Sequence, residues 1–325
     1  MDPHAVRIGV LMGGPSAEHA ISLRSGQGAI DALTRRGWHA APLVIPQDLT
    51  IDQACRVARV LLEQQRPSVV FVALHGPFGE DGTIQQLCED LSLPYTGSDP
   101  AASRLGMDKV ASRQHFEHAG LCVPRWRVME RAHPRQLDAV LAELPFPVVV
   151  KPTNQGSSIG VSIARTRQEL TAAMEAAGRY DTRILVEEYL DGRELTVGVV
   201  DEQALPVIEI KPRRPFFDYA AKYTPGETMY LVPAPLEPTL AAGIQQVGLR
   251  AHQALGCRHF SRTDLIVDQT GRTVVLEVNT IPGLTPMSLL PKAAACVGVS
   301  YEELCERFLQ MAAASTVAAA RVALH

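Results

Sequence analysis

The sequence predicts an α/β protein that opens with a parallel sheet flanked by helices. Three observations carry this. Val6–Leu11, Ala40–Ile45 and Ser68–Leu74 are short apolar runs, and segments with helical spacing, Ser16–Arg36 and Gln53–Gln65, separate them. Continuous apolar runs of this length mark strands covered on both faces, and strand–helix–strand succession implies right-handed crossovers within one open sheet. The segments just past the first and third strands, Gly13–His19 and His75–Gly82, are rich in glycine and ionisable groups. Open α/β sheets bind ligands there, beyond the carboxyl ends of their strands.

The remaining elements follow in order. Lys109–Gly120 has a helical pattern, and Val123-Pro124 opens a strand region. Pro147–Pro152 is a strand closed by proline, Gly156–Gly160 a glycine-rich connection, and Val161–Ala164 a further strand. Arg167–Ala177 is helical, and Ile184–Tyr189 is a strand ending in acids. From Gly192 to about Leu231 strands dominate; Leu240–Leu255 is a helix, residues 262–279 a β-hairpin, and a last helix starts near Tyr301. The Ala-rich tail Ala312–His325 reads as a helix end or a frayed terminus.

A chain of 325 residues implies two or three domains at about 100–200 residues each. Hydrophobic residues make up 46% and charged ones 20%, which is ordinary for a globular protein and argues against disorder. Lys and Arg total 31 against 35 Asp and Glu, a net charge of −4 with no basic block. Nucleic-acid binding and polybasic membrane attachment are therefore not expected. Apolar runs such as Val69–Leu74 fall far short of the roughly 20 residues of a membrane span. The opening MDPHAVRIGV does not read as a secretory signal. The six cysteines contain no C-x-x-C pair, so buried free thiols in a reducing cytoplasm are expected.

The hairpin is the most informative stretch. If Asp268 and Thr273 pair across its turn, Asp264 lies opposite Glu277 and Arg262 opposite Asn279. Period-2 alternation puts all four on one face. Directly opposed carboxylates are destabilising without a cation, and oxygen-only donors suit Mg²⁺ shared with phosphate oxygens. Taken alone, a solvated polar face explains the pattern as well, and a one-residue slip would change the pairing. The Gly156–Gly160 loop, five residues after Lys151, is able to bring backbone N–H groups close to a polyphosphate; a plain turn is the alternative. Neither standard glycine-rich nucleotide motif is present. Glu187, Glu188 and Glu194 suit either an acidic edge or the amino group and ribose hydroxyls of a nucleotide.

Taken together, six segments resemble D-alanine–D-alanine ligases of the ATP-grasp superfamily. They are Gly13–Ser22, His75–Gly82, Pro94–Lys109, Lys151–Val161, Ala221-Lys222-Tyr223 and Leu276–Thr285, in the family's order across residues 7–310. The resemblance implies an N-terminal parallel α/β domain (1–103) and two α+β domains (104–191 and 192–325) that enclose ATP. It implies that ATP phosphorylates one D-alanine and that the amine of a second D-alanine attacks the acyl phosphate, for peptidoglycan precursor synthesis in the cytoplasm. Two Mg²⁺ ions, with Mn²⁺ as a substitute, and a homodimer are implied as well.

Site residues follow by position. Glu18 matches the carboxylate that holds the first ammonium; Ser157 and Tyr223 match the partners that close the site. Lys109, Lys151 and Lys222 match phosphate-binding lysines, Glu187, Leu190 and Leu276 the nucleotide pocket, and Glu194 the ribose contact. Asp264, Glu277 and Asn279 match metal ligands. Arg262 and the Gly283 N–H match the oxyanion site, Ser288 and Leu289 the second-substrate subsite, and His75 lies near the first.

The loop Phe216–Tyr219 departs from the family's usual pattern in carrying Phe217, with loss of one hydroxyl, and His259 reads as a surface loop residue. D-Ala–D-Ser and D-Ala–D-lactate ligases are the nearby alternatives, and Tyr223 argues against the lactate type. An ATP-grasp carboxylase would not need Glu18 and Ser157. A regulatory protein without activity would have no reason to keep Arg262 and the metal ligands.

Overall fold

The computed structural model describes residues 5–130, 134–213 and 226–322. Lys222, Tyr223 and the Phe216–Tyr219 loop lie outside the described residues. Strands β1 (Arg7–Gly13), β2 (His39–Ile45) and β3 (Val69–Val72) form a parallel sheet in the order β2-β1-β3. Every residue of β3, and every one of β1 after Arg7, is buried, as their unbroken apolar runs require. Helix α1 (His19–Arg35) supplies the crossover from β1 to β2. Helix α2 (Ile51–Gln65) begins with a capping box in which Thr50 and Gln53 satisfy each other's backbone N–H. Two short helices, α3 (Thr83–Asp90) and α4 (Pro100–Met107), were not expected; α5 (Lys109–His118) was, and the Asp108 carboxylate caps it.

The central part is a four-stranded antiparallel sheet in the order β4-β7-β5-β6. It consists of β4 (Trp126–Glu130), β5 (Val148–Pro152), β6 (Ser162–Ala164) and β7 (Arg183–Glu188). Helices α6 (Pro134–Glu143) and α7 (Arg167–Ala177) accompany it, and Met129, Val148, Leu170, Met174 and Val186 are among its core residues. The last part holds β8 (Gly192–Val200), β9 (Gln203–Ala204), β10 (Ile208–Pro212), β11 (Thr228–Leu231), β12 (Phe260–Asp268) and β13 (Thr273–Asn279). Their order is β11-β10-β8-β12-β13, with β9 on β8. Helix α8 (Pro238–Ala254) contributes Ile244 and Ala251 to the core beneath this sheet.

Helices α9 (Leu289–Ala295) and α10 (Tyr301–Val322) return to the first sheet. The Phe308 ring lies 4.1 Å from that of Phe260 and 6.4 Å from that of Phe71, so one apolar core joins both ends of the chain. Glu306 accepts from Arg36 Nε at 2.6 Å and from Trp38 Nε1 at 2.8 Å.

Two expectations are corrected. His259 is not a free surface residue: it is half-buried, accepts the Gly97 N–H at 3.1 Å through Nδ1, and lies 2.9 Å from the Ser315 hydroxyl through Nε2. Burial, with Arg258 beside it, pushes its pKa down to about 4, so it stays neutral and able to accept. In the hairpin, Asp268 and Thr273 do not pair; Thr273 pairs with Val267. A bulge at Leu276 absorbs the one-residue offset, and beyond it Asp264 faces Glu277 and Arg262 faces Asn279.

Candidate active site

Two cavities meet at this hairpin. The first, of about 540 Å³, lies between the central and C-terminal sheets. Lys109, Lys151, Glu187, Leu190, Glu194, Asp264, Leu276 and Glu277 all line it. The bulge explains why adjacent residues Leu276 and Glu277 both reach the same cavity, since a regular strand would send them to opposite faces.

Lys151 on β5 and Glu187 on the neighbouring β7 are both buried, with Lys151 Nζ 2.6 Å from Glu187 Oε1. Burial lowers the lysine's pKa, helped by Arg113 and Lys109 and opposed by Glu187 and Glu277. Arg113 was missed in the sequence. It is fully buried and bonded to Glu187 Oε2, so the carboxylate sits between two cations. Lys109, the first residue of α5, donates to the Gln155 carbonyl at 2.5 Å and lies 3.5 Å from Glu277. It thereby ties the glycine-rich loop to the hairpin.

A second missed residue anchors that loop. Asp181 accepts from the Thr153 hydroxyl at 2.6 Å and from the Asn154 N–H and side-chain amide at 3.0 Å each. Its other oxygen accepts the Arg183 N–H at 3.1 Å. Despite partial burial, these bonds hold its carboxyl below the usual range. Glu188 is occupied differently: Arg125 at 2.8 Å and Arg272 at 3.3 Å hold it at the cavity edge.

At the junction, Arg262 grips Asp264 with two bonds of 2.9 and 2.8 Å. The Asp264 carboxylate also accepts from Thr196 at 2.7 Å and from the Asn279 amide at 3.1 Å. The like charges of Asp264 and Glu277 are thus offset by Arg262 and Lys109. Among the described residues no group of three His, Cys, Asp or Glu side chains forms a metal cage. The donor set here is two carboxylates and one amide oxygen, which fits a hard divalent cation completed by phosphate oxygens.

The second cavity, of about 780 Å³, receives Glu18, His75, Ser157, Arg262, Asn279, Gly283, Ser288 and Leu289. Glu18 is the N-cap residue of α1, four residues after Gly14 in the segment that follows β1. Ser157 Oγ donates to Glu18 Oε1 at 2.5 Å. Gly76, at φ +69°, lies so close that a β-carbon would sit 2.8 Å from Glu18 Oε2. His75 is buried, with Nε2 3.0 Å from Ser25 Oγ and Nδ1 3.6 Å from Glu80 Oε1. Burial works against its charge, but Glu80, with Glu18 behind, carries the pKa upward. Glu80 is itself raised, by burial and by Glu18, against the pull of His75. A β-carbon on Gly283 would stand 2.9 Å from Ser288 Oγ, so these two residues form one stretch of wall.

Arg24, Glu80, Thr228, Tyr230 and Lys292 also line this cavity and were not picked out beforehand. The arrangement places a nucleotide-sized cavity, lined by lysines and carboxylates, beside one holding an anchored carboxylate, with a guanidinium and acidic oxygens between them. That suits transfer of a phosphoryl group to an acid bearing an amine. No helix among the described residues is long and apolar enough to cross a membrane.

Family models described as the D-ala D-ala ligase N-terminus and C-terminus match residues 50–98 and 115–310. The chain is 47% identical to a D-alanine–D-alanine ligase of Syntrophotalea carbinolica, over 93% of this chain and 95% of the relative. With the ligase of Geotalea uraniireducens it shares 45% identity, over 94% and 96%. Among solved structures it is similar to the D-alanine–D-alanine ligase of Bacillus anthracis, at 32% identity and TM-score 0.82, over 96% of this chain and 99% of the other. The same ligase complexed with ATP gives 31% identity and TM-score 0.81 over the same shares. The VanG D-Ala:D-Ser ligase of Enterococcus faecalis gives 28% identity and TM-score 0.81, over 94% and 99%.

Proposed function

The chain belongs to the D-alanine–D-alanine ligase family, and from that premise we infer how its two cavities divide the work of an ATP-dependent ligase. One observation carries the inference: the described residues matched to nucleotide binding line one cavity, those matched to the two amino acids line the other, and the Arg262–Asn279 hairpin contributes side chains to both. The domain boundaries at 103 and 191 belong to the same reading.

ATP occupies the first cavity with its phosphates toward Lys109 and Lys151 and its base toward Glu187 and Leu190. Lys222 completes the phosphate site by its position in the sequence. Asp264, Glu277 and Asn279 would hold Mg²⁺ or Mn²⁺, which supplies charge neutralisation for the phosphoryl oxygens. Glu18 takes the ammonium of the first D-alanine through a charge-assisted bond. A carboxylate oxygen of that D-alanine attacks the γ-phosphorus, ADP leaves, and D-alanyl phosphate forms. A carboxylate alone is a poor acyl donor because oxide would have to leave, and the mixed anhydride removes that obstacle. The amine of the second D-alanine, once deprotonated, attacks the acyl carbon. Arg262 and the Gly283 N–H take the oxyanion, which collapses to expel phosphate. The dipeptide serves peptidoglycan precursor synthesis in the cytoplasm, and a homodimer is the assembly the resemblance implies.

The test is stoichiometric. With ATP and Mg²⁺, D-alanine should release one phosphate per dipeptide, and L-alanine should release none. Phosphate without dipeptide, or equal turnover of L-alanine, contradicts the reading. D-Serine or D-lactate as the better second substrate would move the chain to a neighbouring ligase type.

A further inference from the structure

We propose that Arg113 is a positioning residue for nucleotide recognition: it holds Glu187 so that one carboxylate oxygen faces the cavity and accepts from an amino group on the base. The proposal rests on the ligase reading and deepens it at the base end of the first cavity.

Alternation in the central sheet sets the starting geometry. Val148, Val150 and Val186 belong to the core of this part. Val149, Lys151 and Glu187 therefore face the other way, into the cavity that they line, with Glu187 paired to Val149 across β7 and β5. Helix α5 brings two cations to this face. Lys109 and Arg113 are four residues apart and share one side of the helix. Lys109 lines the cavity and reaches the Gln155 carbonyl and Glu277. One turn on, Arg113 donates to Glu187 Oε2. One helix face thus serves both the phosphate end and the base end.

Arg113 does not line the cavity; its side chain is fully buried behind Glu187. Its Nε and Nη1 meet no acceptor among the described residues, and its one described ion pair is with Glu187. Burying a guanidinium is costly unless a carboxylate compensates it. Lys151, 2.6 Å from Glu187 Oε1, already neutralises that carboxylate. A second buried cation is more than neutralisation demands, and what it adds is geometry. Arg113 takes Oε2, Lys151 takes Oε1, and the carboxylate plane is fixed between them. Each carboxylate oxygen has two lone-pair directions, so Oε1 keeps one for a donor in the cavity while Lys151 stays in place. A carboxylate held this way favours a base that presents an amino group, as adenine does at C6, over one with hydrogen or an oxo group there.

The experiment measures binding of Mg²⁺–nucleotide to the full chain by calorimetry. The two nucleotides are ATP and purine riboside triphosphate, which lacks only the C6 amino group. Wild type should prefer ATP about tenfold or more, as one hydrogen bond to a charged group implies. Arg113→Met should remove most of that preference, and Arg113→Lys should keep much of it. Glu187→Gln should also reduce the preference, and adding Arg113→Met to Glu187→Gln should reduce it no further. The double variant carries neither charge of the buried pair, so this comparison stands even where Arg113→Met alone fails to fold. An affinity loss that is equal for the two nucleotides in Arg113→Met marks a structural role and overturns the proposal. A wild type indifferent to the amino group, or a further loss of preference in the double variant, overturns it as well. All three outcomes are compatible with dipeptide formation by the wild type. A wild type that shows the expected preferences but makes no dipeptide overturns the ligase reading instead.

Discussion

Ser157 and Glu18 stand 139 residues apart in the chain, yet the serine hydroxyl donates to the glutamate carboxylate over 2.5 Å. The bond joins the turn after β1 to the glycine-rich loop of the central sheet. Ser157 and Ser158 hold that loop with φ of +50° and +57°, a conformation serine seldom adopts and surrounding contacts must maintain. Asp181 and Lys109 supply such contacts from the loop's base.

Glu18→Gln should raise the KM of the first D-alanine far more than that of the second, because the lost charge lies only at the first site. Steady-state kinetics that separate the two sites check this. Equal effects at both would remove Glu18 from ammonium recognition.

Glu277→Gln should abolish most turnover while changing thermal stability little. The sequence alone suggests some relief of repulsion with Asp264, but Arg262 and Lys109 already compensate both carboxylates. Turnover against Mg²⁺ concentration and a melting curve test the two halves. Wild-type turnover at ordinary Mg²⁺ would contradict the metal assignment.

Asp181→Asn should loosen the loop base, lower the melting temperature and raise the KM for ATP. The Asp181 pKa is depressed in the folded state, so its contribution is present above the ordinary carboxylate pKa of about 3.9 and is lost as pH falls through the lower folded value. The gap in melting temperature between wild type and variant should be full at neutral pH and shrink below about pH 4. A gap independent of pH would contradict this.

Dipeptide formation should rise between about pH 6 and about pH 9, as the second amine, with a solution pKa near 8 or above, loses its proton. Initial rates at saturating ATP measure it. A flat profile would count against an amine nucleophile.

Much of this was legible because the chemistry-bearing residues sit at strand ends. Apolar runs locate β1, β3, β5 and β13, and the residues that end or follow them reach the site. Pairing of Asp264 with Glu277 was legible from alternation, although the assumed turn pairing was off by one and the bulge at Leu276 made up the difference. Arg113 was not legible: an arginine within a polar helix looks solvated, and only tertiary packing brings Glu187 to it. His259 misled for the converse reason, since a loop histidine gains its partners, Gly97 and Ser315, from distant segments.

The central claim is that a D-alanine carboxylate oxygen takes the γ-phosphoryl group before the peptide bond forms. D-Alanine labelled with ¹⁸O in both carboxylate oxygens, incubated with unlabelled ATP and Mg²⁺, tests it directly. Mass spectrometry of the released phosphate should find one labelled oxygen per molecule, and the new amide carbonyl should keep the other. Unlabelled phosphate accompanying labelled dipeptide would contradict the D-alanyl phosphate and the account built on it.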